Sequence, residues 1–351
     1  MIQLQYSHRA ILAVVILTLT VALPPAELNV FGGLNDNSTN YISNIVSSIS
    51  TITTTTSSSS SSSSTSYSTE NSKPSVVVSF YPMYEFTKQV GGDKVIVSSL
   101  IPLGVEPHDF EPTAQQIQNA ETADMLVYNG AGFEGPWTEN INAKFVLDTS
   151  QRLNLTTNNR VDKQQQLDDE NNGIFFDPHI WLDPLIAKEQ VEKIRDGLKR
   201  IDPNNAGYYN ENAKRFMSEL DTLDANIRSA FTNCEKKDFI AFHNAFGYFA
   251  DRYGLTQHSI HEALSPQGEI LPQRIQELIE LARSKGIDTV YSEDLIDPRL
   301  ANVIAQEIPN GKVLILSPLE GIDQEEQKAG IGYIAMMNEN IQNLKVGLKC
   351  Q

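Results

Sequence analysis

The sequence predicts an α/β protein of two lobes, each built on a mostly parallel sheet, joined by a long helix with a cleft between the lobes. Two observations carry this. Short apolar runs alternate with helical stretches, the signature of parallel βαβ units. The alternation stops at Pro203, which opens a helical stretch to about Asn233, and restarts at Asp238. At ~1.5 Å per residue that stretch reaches ~45 Å, longer than one lobe needs.

The elements follow in order. His8 and Arg9 precede an apolar run over 10–23, which is short for a bilayer span of ~20 residues and fits a signal-peptide core. Pro24-Pro25-Ala26 is a poor cleavage site, so residues 1–25 read as a signal peptide or an uncleaved membrane anchor. Residues 26–74 read as a flexible stalk. Asp36 is the only charge between Leu28 and Thr69, and 51–69 is nearly all Ser and Thr, too little apolar surface to offset ordering entropy. Asn37-Ser38-Thr39 is a glycosylation sequon. The N-terminal lobe, 75–202, opens with a buried strand at 75–80. A short helix at 82–90, ended by Gly91-Gly92, leads to a strand at 94–101. A helix at 113–122 with a Thr113 N-cap and strands at 125–128 and 144–147 follow. Residues 153–173 are polar and read as a loop, and 184–201 as a helix. After the linking helix, 203–233, the C-terminal lobe spans 234–351. It has strands at 238–242, 288–292 and 312–316, and helices at 245–253, 271–285, 298–307 and 332–348.

Lys and Arg number 27 against 44 Asp and Glu, a net charge of −17. A nucleic-acid binder needs a basic face, so that class is set aside; the same field favours cation capture. Among ligand-capable residues, position is informative. Open α/β sheets bind ligands beyond the carboxyl ends of their strands. His108 lies in the loop after the 94–101 strand, and His243 directly follows 238–242. Glu293 and Asp294 directly follow 288–292, and Asp297 lies a little further on. His179 sits in a two-proline turn before a helix. Three imidazoles and a carboxylate converging on the cleft suit Zn²⁺, and also Cu²⁺ or Ni²⁺. His258 and His261 read as structural or exposed. No H-E-x-x-H, G-x-S-x-G or Walker loop occurs.

These residues resemble a known family. Pro102-Leu103-Gly104-Val105-Glu106-Pro107-His108-Asp109-Phe110-Glu111-Pro112-Thr113 is similar to the P-x-G-x-x-P-H-x-[FY]-E-P-[ST] signature of zinc/manganese ABC-transporter solute-binding proteins. Asp177-Pro178-His179-Ile180-Trp181-Leu182-Asp183-Pro184 resembles their D-P-H-x-W-L-D-P, and Phe242-His243-Asn244-Ala245-Phe246-Gly247-Tyr248-Phe249 their H-x-A-F-x-Y-F. The resemblance runs from about Ser75 to the C-terminus. It implies two lobes around a rigid linking helix, a metal between them and no catalytic activity. By position, His108, His179 and His243 match the first three metal ligands. A third histidine resembles the zinc branch, and a nitrogen-rich set favours Zn²⁺ over the harder Mn²⁺. The fourth ligand in such proteins is a Glu just after the strand, an Asp slightly later, or water; here these are Glu293 and Asp297. Glu293 is preferred, because the strand holds its backbone, whereas Asp297 precedes Pro298 and suits a helix start. The 153–173 loop sits where zinc-branch members often carry a His-rich loop, but it contains no histidine.

The implied function is capture of Zn²⁺ outside the cell and delivery to an ABC-transporter permease and its ATPase. The protein is expected to be a monomer at the cell surface, tethered to the membrane by its N-terminal segment or secreted. An extracellular zinc hydrolase using the same histidines, or a manganese-binding or adhesin-like family member, would use the same site. Cys234 and Cys350 fall before the first strand and at the end of the last helix of the C-terminal lobe. An exported chain in oxidising surroundings is expected to join them as a disulfide.

Overall fold

A computed structural model describes residues 72–155 and 176–351. The expected leader at 1–25, all but the last residues of the expected stalk at 26–74, and most of the expected loop at 153–173 lie outside the described residues.

The first sheet is made of β1 (Ser75–Val78), β2 (Ile96–Ser99), β3 (Met125–Tyr128) and β4 (Val146–Asp148), in the order β2-β1-β3-β4 and wholly parallel. β1 is Ser-Val-Val-Val, with its three valines buried, as suits a central strand covered on both faces. Helix α1 (Tyr81–Gly91) starts with Pro82 in its first turn. Helix α2 (Ala114–Thr122) is opened by a capping box in which Thr113 and Gln116 satisfy each other's backbone N–H groups. Helix α3 (Pro184–Ile201) follows Asp183, whose carboxylate accepts from Leu185 and Ile186 N–H. The long helix α4 spans Ala206–Ala230, preceded by a 3₁₀ turn at Pro203–Asn205, so the expected 203–233 element is one α-helix with looser ends.

The second sheet repeats the plan with β5 (Asp238–Ala241), β6 (Thr256–Ser259), β7 (Thr289–Ser292) and β8 (Lys312–Ile315), in the order β6-β5-β7-β8 and again parallel. Its helices are α5 (Gly247–Tyr253), α6 (Pro272–Lys285), α7 (Arg299–Gln306), α8 (Gln324–Ala329) and α9 (Tyr333–Leu348). Glycines 254 and 286 end α5 and α6 in the left-handed region, at φ 66° and 63°. Helix α8 was not expected, although Asp323 and Glu326 form the capping box that announces it.

One apolar core runs through both lobes. Phe86 of α1 meets Phe216 of α4 at 5.8 Å and Tyr333 of α9 at 5.1 Å between ring centroids. Each lobe adds a core of its own on the outer sheet face, around Val77 and Leu126 in the first and around Ile240 and Val290 in the second. Cys234 and Cys350 are joined by a disulfide that ties the segment after α4 to the second residue beyond α9.

Candidate metal centre

The loops at the carboxyl ends of both sheets meet in one cluster. His108 comes from the loop after β2, His179 from the turn before α3, and His243 from the residues after β5. The carboxylate among them is Glu320, from the loop after β8. Glu320 Oε1 lies 3.1 Å from His108 Nε2, 3.3 Å from His179 Nε2 and 3.4 Å from His243 Nε2. His179 Nε2 and His243 Nε2 are 3.2 Å apart. A tetrahedral ion with bonds of ~2.0–2.1 Å holds its ligand atoms about 3.3 Å apart, so these side chains could hold a small cation with little rearrangement. The His179 and His243 side chains are fully buried, Glu320 nearly so, and that of His108 is 8% exposed.

The carboxylate that the structure brings into the cluster is neither Glu293 nor Asp297. Glu293 directly follows β7, as read from the sequence, but its Oε1 accepts from His243 N at 3.2 Å and lies 2.7 Å from His243 Nδ1. It faces the back of the imidazole, away from the cluster. Asp297 is exposed, accepts from Arg299 N–H and pairs with the Arg299 guanidinium, and it takes no part. Glu320 was missed although the rule that selected His243 applies to it: β8 is a strand and Ser317-Pro318-Leu319-Glu320 is the loop beyond its carboxyl end.

A second carboxylate does for His179 what Glu293 does for His243. Asp177 Oδ1 accepts from His179 N at 3.0 Å and lies 2.8 Å from its Nδ1. With Nδ1 turned to a carboxylate in both residues, Nε2 is left with its lone pair toward the cluster, the tautomer a metal requires. Charge reinforces the grouping. Burial disfavours protonation of His179, but the carboxylates of Asp177 and Glu320 outweigh it and raise its pKa. His243 is raised further, since Glu293 and Glu320 overcome the same burial. Burial works to neutralise Glu320, yet His108 and His243 hold it well below the ordinary carboxylate range.

The two other described histidines stand apart. His258 Nε2 lies 2.9 Å from Asp238 Oδ1. His261 is buried against the Phe242 ring, and burial and then His243 push its pKa down to about 4. Neither joins the cluster, as their expected structural role implies.

The loops are braced across the lobes. Trp181 Nε1 donates to Pro318 O at 2.7 Å, Tyr333 Oη donates to Trp181 O, and Gly104 N donates to Ile322 O. Phe133 packs edge-on to His108 and to Trp181, with both centroids 4.9 Å away.

Comparison with known proteins agrees with the fold. The high-affinity zinc uptake system protein ZnuA of Bacillus subtilis is 37% identical over 289 residues, covering 80% of this chain and 89% of that protein. The zinc-binding lipoprotein AdcA of Streptococcus pneumoniae is 34% identical over 282 residues, and the match spans 56% of its length. The crystal structure of the Zn(II)-bound ZnuA-like domain of that AdcA superposes with a TM-score of 0.67 at 33% identity, covering 79% of this chain and 99% of that one. The model of the zinc-uptake complex component A family, described as periplasmic, matches residues 76–347, and the chain belongs to that family.

Proposed function

We propose that this protein is an extracytoplasmic solute-binding protein that captures one Zn²⁺ per chain and hands it to an ABC-transporter permease powered by its ATPase. The observation that carries this is the quartet of His108, His179, His243 and Glu320, whose ligand atoms all lie within 4.8 Å of one another. Three imidazoles and one carboxylate suit Zn²⁺ better than Mn²⁺, which favours oxygen-rich octahedral surroundings. Four protein ligands also favour carriage over hydrolysis, because a catalytic zinc keeps one corner open for water. The lobes are taken as 75–202 and 234–351 with the 203–233 helix between them. The N-terminal 1–25 segment and the 26–74 stretch are taken as anchor or leader and as tether. Monomeric action is part of the same reading.

Titration of metal-free protein with zinc against a competing chelator tests it. One tight site and far weaker Mn²⁺ binding are expected. A preference for Mn²⁺, or full zinc affinity after His179→Ala together with His243→Ala, overturns it.

A further inference from the structure

The residues ahead of Glu320 are held one by one. Asn340 of α9, 3% exposed, reaches the main chain of Ser317 twice: Ser317 N donates to Asn340 Oδ1 at 2.8 Å, and Asn340 Nδ2 donates to Ser317 O at 2.7 Å. Both main-chain polar groups of Ser317, just beyond β8, thus have a side-chain amide as their partner. The Ser317 hydroxyl donates to Asp294 Oδ2 at 2.8 Å and accepts from Leu319 N–H at 3.1 Å. Pro318 O is held by Trp181 of the other lobe. Leu319 lies at φ 57°, a conformation a leucine keeps only where its surroundings enforce it. The Glu320 carboxylate is thus delivered from a loop with little freedom to slide.

We propose that Asn340, acting with Ser317, is a positioning residue that sets metal selectivity by fixing Glu320 in a single-oxygen approach. The inference rests on the quartet being the zinc site. Oε1 of Glu320 lies 3.1, 3.3 and 3.4 Å from the Nε2 atoms of His108, His179 and His243, so one carboxylate oxygen approaches all three imidazoles at close to tetrahedral spacing. A loop free to shift would let the second carboxylate oxygen or a water approach the ion. Either change raises the coordination number, which Zn²⁺ tolerates less well than Mn²⁺. Both ends of the Asn340 amide bond the main chain of Ser317, so its effect on the metal passes through the main chain of the Glu320 loop.

The test uses Co²⁺, Zn²⁺ and Mn²⁺ on Asn340→Ala and Ser317→Ala in the full chain. Cobalt bound in a tetrahedral N₃O set absorbs strongly in the visible, and five- or six-coordinate cobalt absorbs weakly. The expected result is one cobalt per chain in each variant with visible absorption at least halved. Zinc affinity should fall about tenfold, in the range for residues that orient ligands without touching the metal, and the zinc-to-manganese preference should narrow. Ser317→Ala removes only a hydroxyl and decides the matter if Asn340→Ala does not fold. Wild-type cobalt spectra and wild-type zinc affinity in a folded variant overturn the inference while the zinc site stands. Absence of zinc binding by the unaltered protein overturns both.

Discussion

The two lobes share a strand order and use it differently. In each, four parallel strands run in the order second, first, third, fourth, and each contributes two members of the quartet. The first lobe supplies His108 from beyond its edge strand β2 and His179 from the turn before α3. The second supplies His243 from beyond its central strand β5 and Glu320 from beyond its edge strand β8. The contrast is sharpest after the third strand of each sheet, where both lobes bury a glutamate. Glu293 after β7 turns to His243 and orients it. Glu134 after β3 turns to its own lobe: it accepts from Asn129 N, Gly130 N and Ser79 Oγ, and burial pushes its pKa up to about 7 despite those bonds. One topological position thus carries a ligand-orienting carboxylate in one lobe and a turn-closing carboxylate in the other. Topology brings a side chain to the cleft; its rotamer and nearest donors decide its task.

The largest expected effect separates fold from site. The Cys234–Cys350 bridge closes a sequence separation of 116 in the second lobe, with no counterpart among the described residues of the first. Loop entropy allows it up to about 5 kcal/mol. Replacing both cysteines by serine should lower the midpoint of denaturant unfolding markedly while zinc affinity of the folded protein stays within about twofold. A large affinity loss would mean that the bridge shapes the cleft.

Next comes Glu134. A carboxylate raised to about 7 from an unfolded value near ~4.5 stabilises the fold fully below ~4.5, and that contribution is lost as pH rises through about 7. The span corresponds to roughly 3 kcal/mol. Urea unfolding of metal-free protein between those pH values should show this slope in the wild type and a flatter one in Glu134→Gln. Identical slopes would remove the distinction drawn between the two glutamates on the first-lobe side.

On the second-lobe side, Glu320→Gln should cost about a hundredfold in zinc affinity, ~2.7 kcal/mol. Glu293→Gln should cost about tenfold, the lower range for a group that orients a ligand, and Asp297→Asn nothing measurable. Chelator competition on the three variants gives the order directly. Equal losses for Glu293→Gln and Glu320→Gln would return Glu293 to the metal.

The smallest effect concerns protons. His179 and His243 are held above the ordinary imidazole value of about 6.5 in the metal-free quartet, and a ligating nitrogen must be neutral. Zinc affinity should therefore rise with pH through that value and keep rising above it, with protons released on binding at neutral pH. A plateau already reached at about 6.5 would contradict the raised values.

Much of this was legible in the sequence. The alternation of strands and helices, the long α4, and the three histidines follow from apolar periodicity and from the rule that sites lie beyond strand ends. Helix α8 carries a local signal of its own, the Asp323–Glu326 capping box. The fourth carboxylate was not separable, because Glu293 and Glu320 both follow strands of the same sheet. Which one faces the cluster depends on the left-handed turn at Leu319 and on Asn340, a residue on a helix beyond the loop it holds. Sequence spacing carries neither fact.

The core that runs from Phe86 through Phe216 to Tyr333 has a thermodynamic consequence. Two lobes stitched by one apolar interior share their melting, so heating should give a single calorimetric transition rather than one for each lobe. Zinc bound where the lobes meet would raise that one transition by mass action, in proportion to the logarithm of free zinc. The cargo is then also a fastener, and a loaded carrier is harder to unfold as a whole than an empty one.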